Sequence, residues 1–388
     1  MNTLRKEIAG LLPEMIGLRH QIHQHPELAF EEHATSDLVA ERLTHWGYEV
    51  QRGLGGTGVV GRLRQGSGGK CIGIRADMDA LPIVEVTGLA YASRHHGKMH
   101  ACGHDGHTAT LLAAARHLAQ TRRFNGTVNL IFQPAEEGGG GARRMIEDGL
   151  FEQFPCDAVF ALHNAPGQPV GTLAFRSGAA LASADRVVIT LRGRGGHAAM
   201  PHFSADPIVA GSSIVMALQS IVARNVDPLQ SAVVTVGLFQ SGTVNNVIPS
   251  TATLELSVRA LDREVRKLLR QRIQEVVASQ AASLGVAAEV DYQEGYPVLV
   301  NTEAETALAA RVATELLGQD KVLLDRPALM GSEDFAYMLE QRPGCYLFLG
   351  NGDGAGSCMV HNPGYDFNDG AMETGAAFWS LLTERFLA

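Results

Sequence analysis

The segment HACGHDGH, His100 to His107, gathers three histidines, a cysteine and an aspartate into eight residues, and an alanine-rich apolar run follows at once. A thiolate and imidazoles at such spacing, in a turn before a helix, can converge on one cation, and few other arrangements use them together. One histidine here would read as an ordinary turn or cap residue, but the cluster reads as a metal site. Further along, QPAEEGGGG sets Glu136 beside Glu137 after an apolar run. Ligands of α/β sheets bind outside the carboxyl ends of strands, where adjacent residues leave in different directions. One carboxylate can then hold a metal while its neighbour faces a substrate water. Metal-assisted hydrolysis needs that division: a Lewis acid to lower the water's pKa and a base to take its proton. The same pair also suits the start of a helix, where acids favour the dipole, followed by a flexible glycine run.

Other candidates are weaker singly. Asp77 and Asp79 in RADMDALP end another strand-like run, where either can orient a ligand or base, or belong to a solvated turn closed by Pro82. His163 in FALHNAP and His361 in MVHNPGYDF each follow a short apolar stretch and, alone, read as structural histidines. His197 and His202 in GRGGHAAMPH fall in a part of the chain that reads as an insertion, so a role at the site requires reach across domains or subunits. GLGGTGVVG near residue 55 does not fit a dinucleotide fingerprint, because Val59 to Leu63 reads as a strand rather than a helix. HExxH, GxSxG and Walker A patterns are absent from the sequence.

The elements that must position these residues follow from periodicity. Leu4, Ile8, Leu11, Met15, Leu18 and Ile22 predict one apolar face of a first helix, stopped by Pro26. SDLVAERLTHWG predicts a second, closed by Gly47. CIGIRADMDALP and GTVNLIFQPAEE each begin as a strand, with the helix TATLLAAARHLAQ between them, which implies a parallel sheet. From about Ala184 the pattern changes to antiparallel-type strands with helices at PIVAGSSIVMALQSIVA and REVRKLLRQRIQEVVASQAASLG, an α+β unit of two helices on a four-strand meander. After Val290 the chain returns to strand and helix. The expected architecture is an α/β catalytic domain with a mixed, largely parallel sheet flanked by helices, formed by 1–183 and 295–388, and an inserted α+β domain at 184–294.

The totals agree. A chain of 388 residues exceeds one core, so two domains are the default. Its net charge of −9, with no basic block, argues against a nucleic-acid partner and leaves small molecules. Five scattered cysteines without a CxxC pair suggest a reducing, cytoplasmic setting. Lys6, Glu7, Glu14 and Arg19 interrupt any secretory apolar region. The charge-free, apolar run Pro207 to Ala223 reads as too short and polar to span a membrane.

The motifs HQHPELAFEE, IRADMDALPI, MHACGHDGHTATLL, IFQPAEEGGGGARRMIEDG, ALHNAPGQPVGT, GRGGHAAMPH, NVIPSTATLELSVR, MGSEDFAYM and HNPGYDFND stand in order along nearly the whole chain. Together they resemble the amidohydrolase branch of the aminoacylase and glutamate-carboxypeptidase metallopeptidases, which includes hippurate hydrolases, N-acyl amino acid deacylases and plant auxin-conjugate hydrolases. The resemblance implies metal ligands at Cys102, His104, Glu137, His163 and His361, with Glu136 as general base. Five ligands are too many for one open tetrahedral site and suit two metals about 3.5–4 Å apart. Sister branches carry His-x-Asp where this chain has Arg75-Ala76-Asp77, so a ligand is lost there. Asp77 then matches a carboxylate that supports Glu136 or a ligand. His197 resembles a histidine brought near the scissile carbonyl, often from the neighbouring subunit, while Asn245, Asn246 and Arg259 resemble contacts to the substrate carboxylate. The implied cofactors are two divalent ions, Mn²⁺, Zn²⁺, Co²⁺ or Ni²⁺, and the implied assembly is a homodimer or homotetramer formed through the insertion. The implied reaction is hydrolysis of an N-acyl amino acid. Its rivals are a dipeptidase or carboxypeptidase, an N-acetyl-diaminopimelate deacetylase, and more remotely a non-catalytic metal or amino-acid binding protein.

Overall fold

The computed structural model describes residues 2–352 and 358–388. The chain divides into two compact units, one of Met1–Gly178, Val300–Pro327 and Asp334–Ala388, the other of Ala179–Leu299 and Ala328–Glu333. The second unit is thus wider than 184–294 at both ends and takes in a separate segment, 328–333.

Among the described residues, the first unit's main sheet has eight strands in the order Glu49–Leu54, Gly58–Gln65, Gly126–Gln133, Cys71–Asp77, Ala158–Pro166, Gly344–Gly352, Leu173–Ala174, Val322–Leu323. The middle is parallel: Cys71–Asp77 pairs with Gly126–Gln133 and Ala158–Pro166, and the last of these with Gly344–Gly352. The pairs among the first three strands in that order are antiparallel. The central strands are buried almost throughout, as strands covered on both faces must be. Connecting the first parallel pair is the helix His104–Thr121, in which Ala109, Leu111, Leu112, Ala113, Ala114, Ala115 and Leu118 are all fully buried. Buried on nearly every side, it is a core helix, and it packs against Leu12–Gln24 and Met372–Phe386. Its amino end carries the metal-site motif.

The expected single first helix is two, Asn2–Ala9 and Leu12–Gln24. Pro13 sits in the first turn of the second, where its missing N–H is tolerated. The apolar stripe survives the break, since Leu4, Ile8, Met15, Leu18 and Ile22 are all buried.

The second unit has a four-stranded antiparallel sheet ordered Ala232–Ser241, Thr251–Ala260, Ser183–Arg192, Ala287–Glu294. This is not the expected meander. Only Ala232–Ser241 and Thr251–Ala260 are joined without an intervening helix; helices Pro207–Asn225 and Arg263–Ser283 carry the other connections, and the earliest strand lies between the third and fourth. That is the split βαβ arrangement. Asp206 and Asp262 cap the two helices by accepting from the N–H groups of Ile208 and Val209, and of Glu264 and Val265. Val187, Ile189 and Leu191 point to one face of their strand and pack with Ile214, Leu218, Leu269 and Ile273 in one core. Contrary to the expectation from its charge-free run, Pro207–Asn225 is long and apolar enough to cross a membrane by length and composition. Ala210, Gly211, Ile214, Leu218 and Ile221 form its buried face, packed on the sheet of the same unit.

Candidate metal centre

Strand ends and the turns beside them supply the candidate residues of the first unit. Asp77 ends its strand, Glu136 and Glu137 follow Gln133, His163 lies in Ala158–Pro166, and Cys102 immediately precedes the long helix. Gly103, between Cys102 and His104, has φ +93°, and a Cβ there would fall 2.5 Å from Asn164 Nδ2 and 2.7 Å from Tyr365 Oη. Only glycine fits that corner.

Cys102, His104 and His163 bring donor atoms within 4.8 Å of one another, as do Cys102, Glu137 and His361, and His104, Glu136 and Glu137. Cys102, His104 and Glu137 each belong to two of these groups, which links all six residues into one donor set. The Cys102 Sγ lies 3.2 Å from His163 Nε2, and His361 Nε2 lies 3.1 Å from Glu137 Oε1.

Hydrogen bonds fix which ring nitrogen faces inward. His163 donates from Nδ1 to the Asn164 carbonyl at 2.7 Å, leaving the Nε2 lone pair toward Cys102. His104 donates from Nδ1 to Asp79 Oδ1 at 3.2 Å, and its buried Nε2 has no hydrogen-bond partner among the described residues. A carboxylate or carbonyl behind a histidine in this way orients a metal ligand. Asp79 also accepts the Glu137 N–H at 2.9 Å. Asp77, fully buried, accepts from His107 Nδ1 at 2.6 Å and Arg75 at 2.6 Å, and lies 3.7 Å from His104 Nε2. His107 Nε2 in turn accepts the Asn164 N–H at 3.0 Å, so this histidine braces the donor set from behind.

The electrostatics show a site short of positive charge. Although burial opposes it, the Asp77 and Asp79 carboxylates push His104 up to about 10. Burial and the Glu137 and Glu136 carboxylates push the Cys102 thiol well above its usual range. Burial, reinforced by His107, holds His163 well below its usual value and therefore neutral. Burial disfavours ionisation of Asp77, yet His104, Arg75 and His107 hold it well below the normal carboxylate range. A thiol and a histidine that both cling to protons among buried acids, with an orphaned imidazole nitrogen between them, are the donors that divalent cations would satisfy.

One residue of this set, His361 (φ +64°), occupies left-handed backbone, as does Ala135 (φ +53°) directly before Glu136. The glycine run after the glutamates is no flexible loop. Gly138 N–H donates to the Glu136 carbonyl and Gly141 N–H to the Ala135 carbonyl, and the helix begins only at Gly141. The glutamates therefore sit in a tight turn rather than opening a helix.

The remaining candidates lie in the second unit. Gly196–His197 pairs with Val247–Ile248, and the Ala198 N–H donates to the Asn246 carbonyl at 3.1 Å, so His197 and Asn246 are near neighbours, all exposed with Asn245. The Ala199 N–H donates to His197 Nδ1, which puts the ring proton on Nε2. Arg259, half-buried, donates to Ser332 Oγ at 3.0 Å and Ser257 Oγ at 3.3 Å.

Several residues carry more of this geometry than their sequence signal conveys. Asp79, a candidate beside Asp77 from the sequence, stands behind both His104 and the Glu137 N–H. Arg75 stands where sister branches carry a ligand; its guanidinium instead binds Asp77, Asp334 at 3.1 Å and Gln133 at 2.8 Å. Asn164 binds the Cys102 carbonyl at 2.6 Å and accepts from Tyr365.

Paired carboxylates, imidazoles and a cysteine thiol at the carboxyl ends of a parallel sheet define a two-metal hydrolase. The profile of peptidase family M20/M25/M40 matches residues 73–385, and the chain belongs to that family. It is 46% identical to a hippurate hydrolase from Campylobacter jejuni, over 99% of this chain and 100% of that protein. It is 41% identical to an N-acetyl-L-cysteine deacetylase from Bacillus subtilis, over 99% and 92%. A dinuclear metal-binding peptidase of the M20 family from Bacillus subtilis superposes with a TM-score of 0.85 at 33% identity, covering 98% of this chain and 99% of that one.

Proposed function

We propose that this enzyme hydrolyses the amide bond of N-acyl amino acids, releasing a carboxylic acid and a free amino acid. The observation that carries this reading is Glu136, a carboxylate 7% exposed in the same donor group as His104 and Glu137. A metal-binding protein has no use for a base at that position, and a hydrolase requires one. The likeness to the hippurate hydrolase and the N-acetyl-L-cysteine deacetylase supports the substrate class.

In this reading Cys102, His104, Glu137, His163 and His361 hold two metal ions. When bound, these ions supply Lewis acidity that lowers the pKa of a water and polarises the acyl carbonyl. The Cys102 thiolate favours Mn²⁺'s softer competitors Zn²⁺, Co²⁺ and Ni²⁺, and supply in the cell decides among the four. Glu136 takes the proton of the attacking water and returns it to the departing amine. Asp79 holds the His104 ring in its working tautomer, and Asp77 with His107 braces the strand that carries His163. His197 offers its Nε2–H to the developing oxyanion. Asn245, Asn246 and Arg259 hold the carboxylate of the amino acid.

The assembly is a homodimer formed through the second unit. Supporting it are the exposed apolar side chains Met216, Phe203, Val209 and Phe239 and the unpaired edge of Ala232–Ser241 in that unit. The five free cysteines support a reducing, cytoplasmic setting. A panel that varies acyl group and amino acid independently, with dipeptides included, tests the function. Activity should fall below detection after chelation and return with added Mn²⁺ or Zn²⁺, and N-acyl amino acids should outrun dipeptides. Undiminished activity after thorough demetallation, or a preference for a free α-amine, would overturn the reading.

A further inference from the structure

We propose that Glu32, outside the donor set, is the positioning residue that aims the base Glu136 by holding the left-handed backbone of Ala135. This rests on the assignment of Glu136 as base. Glu32 is the last residue of the first motif of the chain, HQHPELAFEE. In the fold it is fully buried. One carboxylate oxygen accepts the Ala135 N–H at 2.9 Å and the Phe30 N–H at 3.0 Å; the other accepts the hydroxyl of Thr57.

The two amides on that shared oxygen belong to residues of the same unusual kind. Phe30 has φ +64° and Ala135 φ +53°, values that side chains with a Cβ rarely adopt. Such backbone persists only where its surroundings over-determine it, and here one buried carboxylate binds both. The two residues also press on a common neighbour. A Cβ on Gly139 would fall 2.7 Å from Ala135 Cβ and 3.1 Å from the Phe30 ring, so the turn after the glutamates closes directly over this pair.

Ala135 sets the direction in which the next residue leaves the strand end. Downstream, the Glu137 N–H is tied to Asp79. The peptide bearing Glu136 is therefore held at both ends by buried carboxylates, Glu32 behind and Asp79 ahead. Loss of Glu32 releases the Ala135 end of that peptide, while the Glu137 end keeps its bond to Asp79. The consequence is a role that acts on proton transfer rather than on metal holding or substrate binding.

The test measures steady-state kinetics, metal content and deuterium uptake of residues 133–140 in the full-length enzyme, with the N-acyl amino acid that it turns over best. Glu32→Ala should lower kcat about 10–100-fold, the cost of a misplaced catalytic group, with KM and metal content close to wild type and faster uptake in 133–140. Glu32→Gln keeps an oxygen for the Ala135 N–H and an amide that the Thr57 hydroxyl can accept, and should restore most of the loss. Ala135→Gly, placed in the Glu32→Ala background, supplies a residue at ease in left-handed backbone and should recover several-fold in kcat. A purely structural Glu32 would not respond to that second change. A Glu32→Ala enzyme within twofold of wild type, or one that loses metal in proportion to activity, overturns the proposal, as does failure of Ala135→Gly to restore turnover. Glu136→Ala is the control. If it is inactive while Glu32→Ala is unaffected, only the Glu32 role falls; if it is active, the base assignment falls and this role with it.

Discussion

The candidate residues of the two units are held in opposite ways. In the first unit Asp77, Asp79, His104 and His107 are buried, and each is pinned by at least one charged or polar partner in the same unit. In the second, His197, Asn245 and Asn246 are exposed and hang on a pair of two-residue strands. Preorganisation is therefore built into the first constellation by its own fold, whereas the second presents groups that its own unit leaves accessible. Substitutions in the first should disturb metal binding and stability along with activity. Those in the second should disturb activity alone.

His197→Ala offers the largest contrast. Loss of an oxyanion donor costs about 10²–10³-fold in kcat, and because the side chain is exposed, melting temperature and metal content should stay at wild-type values. A drop in either would erase the distinction between the units. Asp79→Ala should act the other way: it removes the acceptor behind His104 and should weaken metal binding about 10–100-fold, so that activity returns as metal is raised. Activity that stays low at saturating metal would place Asp79 in the chemical step instead. Smallest at neutral pH is the change expected behind the first unit's motif, where His23 donates to Asp105 at 2.9 Å beside the buried Arg19–Asp105 pair. Burial opposes the charge, but Asp105 and Glu85 raise His23 to about 10. A folded pKa above the unfolded value of about 6.5 means the contribution is complete below about 6.5 and is lost as pH climbs through about 10. Melting temperature should fall across that window, and His23→Gln should flatten the fall. An equal slope in both proteins would show that His23 does not carry it.

What the sequence made legible has a common character. The helix periodicity, the strand–helix–strand core and the dense motif at Cys102 and His104 are local patterns, and the chain reads them out within a few turns. What it concealed is non-local. Arg75 meets Asp334 across 259 residues, Glu32 meets Ala135 across 103, and no spacing rule connects either pair. The strand order of the second unit was misread for the same reason, since hairpin adjacency is legible while the place of a strand reached through a helix is not. Asp77 and Asp79 could not be ranked because their difference lies in what packs behind them. The glycine run after Glu137 looked flexible because composition reports freedom in the unfolded chain, whereas its hydrogen bonds to Ala135 and Glu136 close it into a turn.

The central claim is that one buried carboxylate, Glu136, performs the proton transfers while its neighbours hold the metals. Metal content and turnover of an N-acyl amino acid, measured together on Glu136→Ala and wild type, test it most directly. The account predicts two metal ions per chain in both proteins and turnover reduced by about 10²–10⁴-fold or more in the variant. A variant that keeps most of its turnover, or that loses its metal along with its activity, would contradict it.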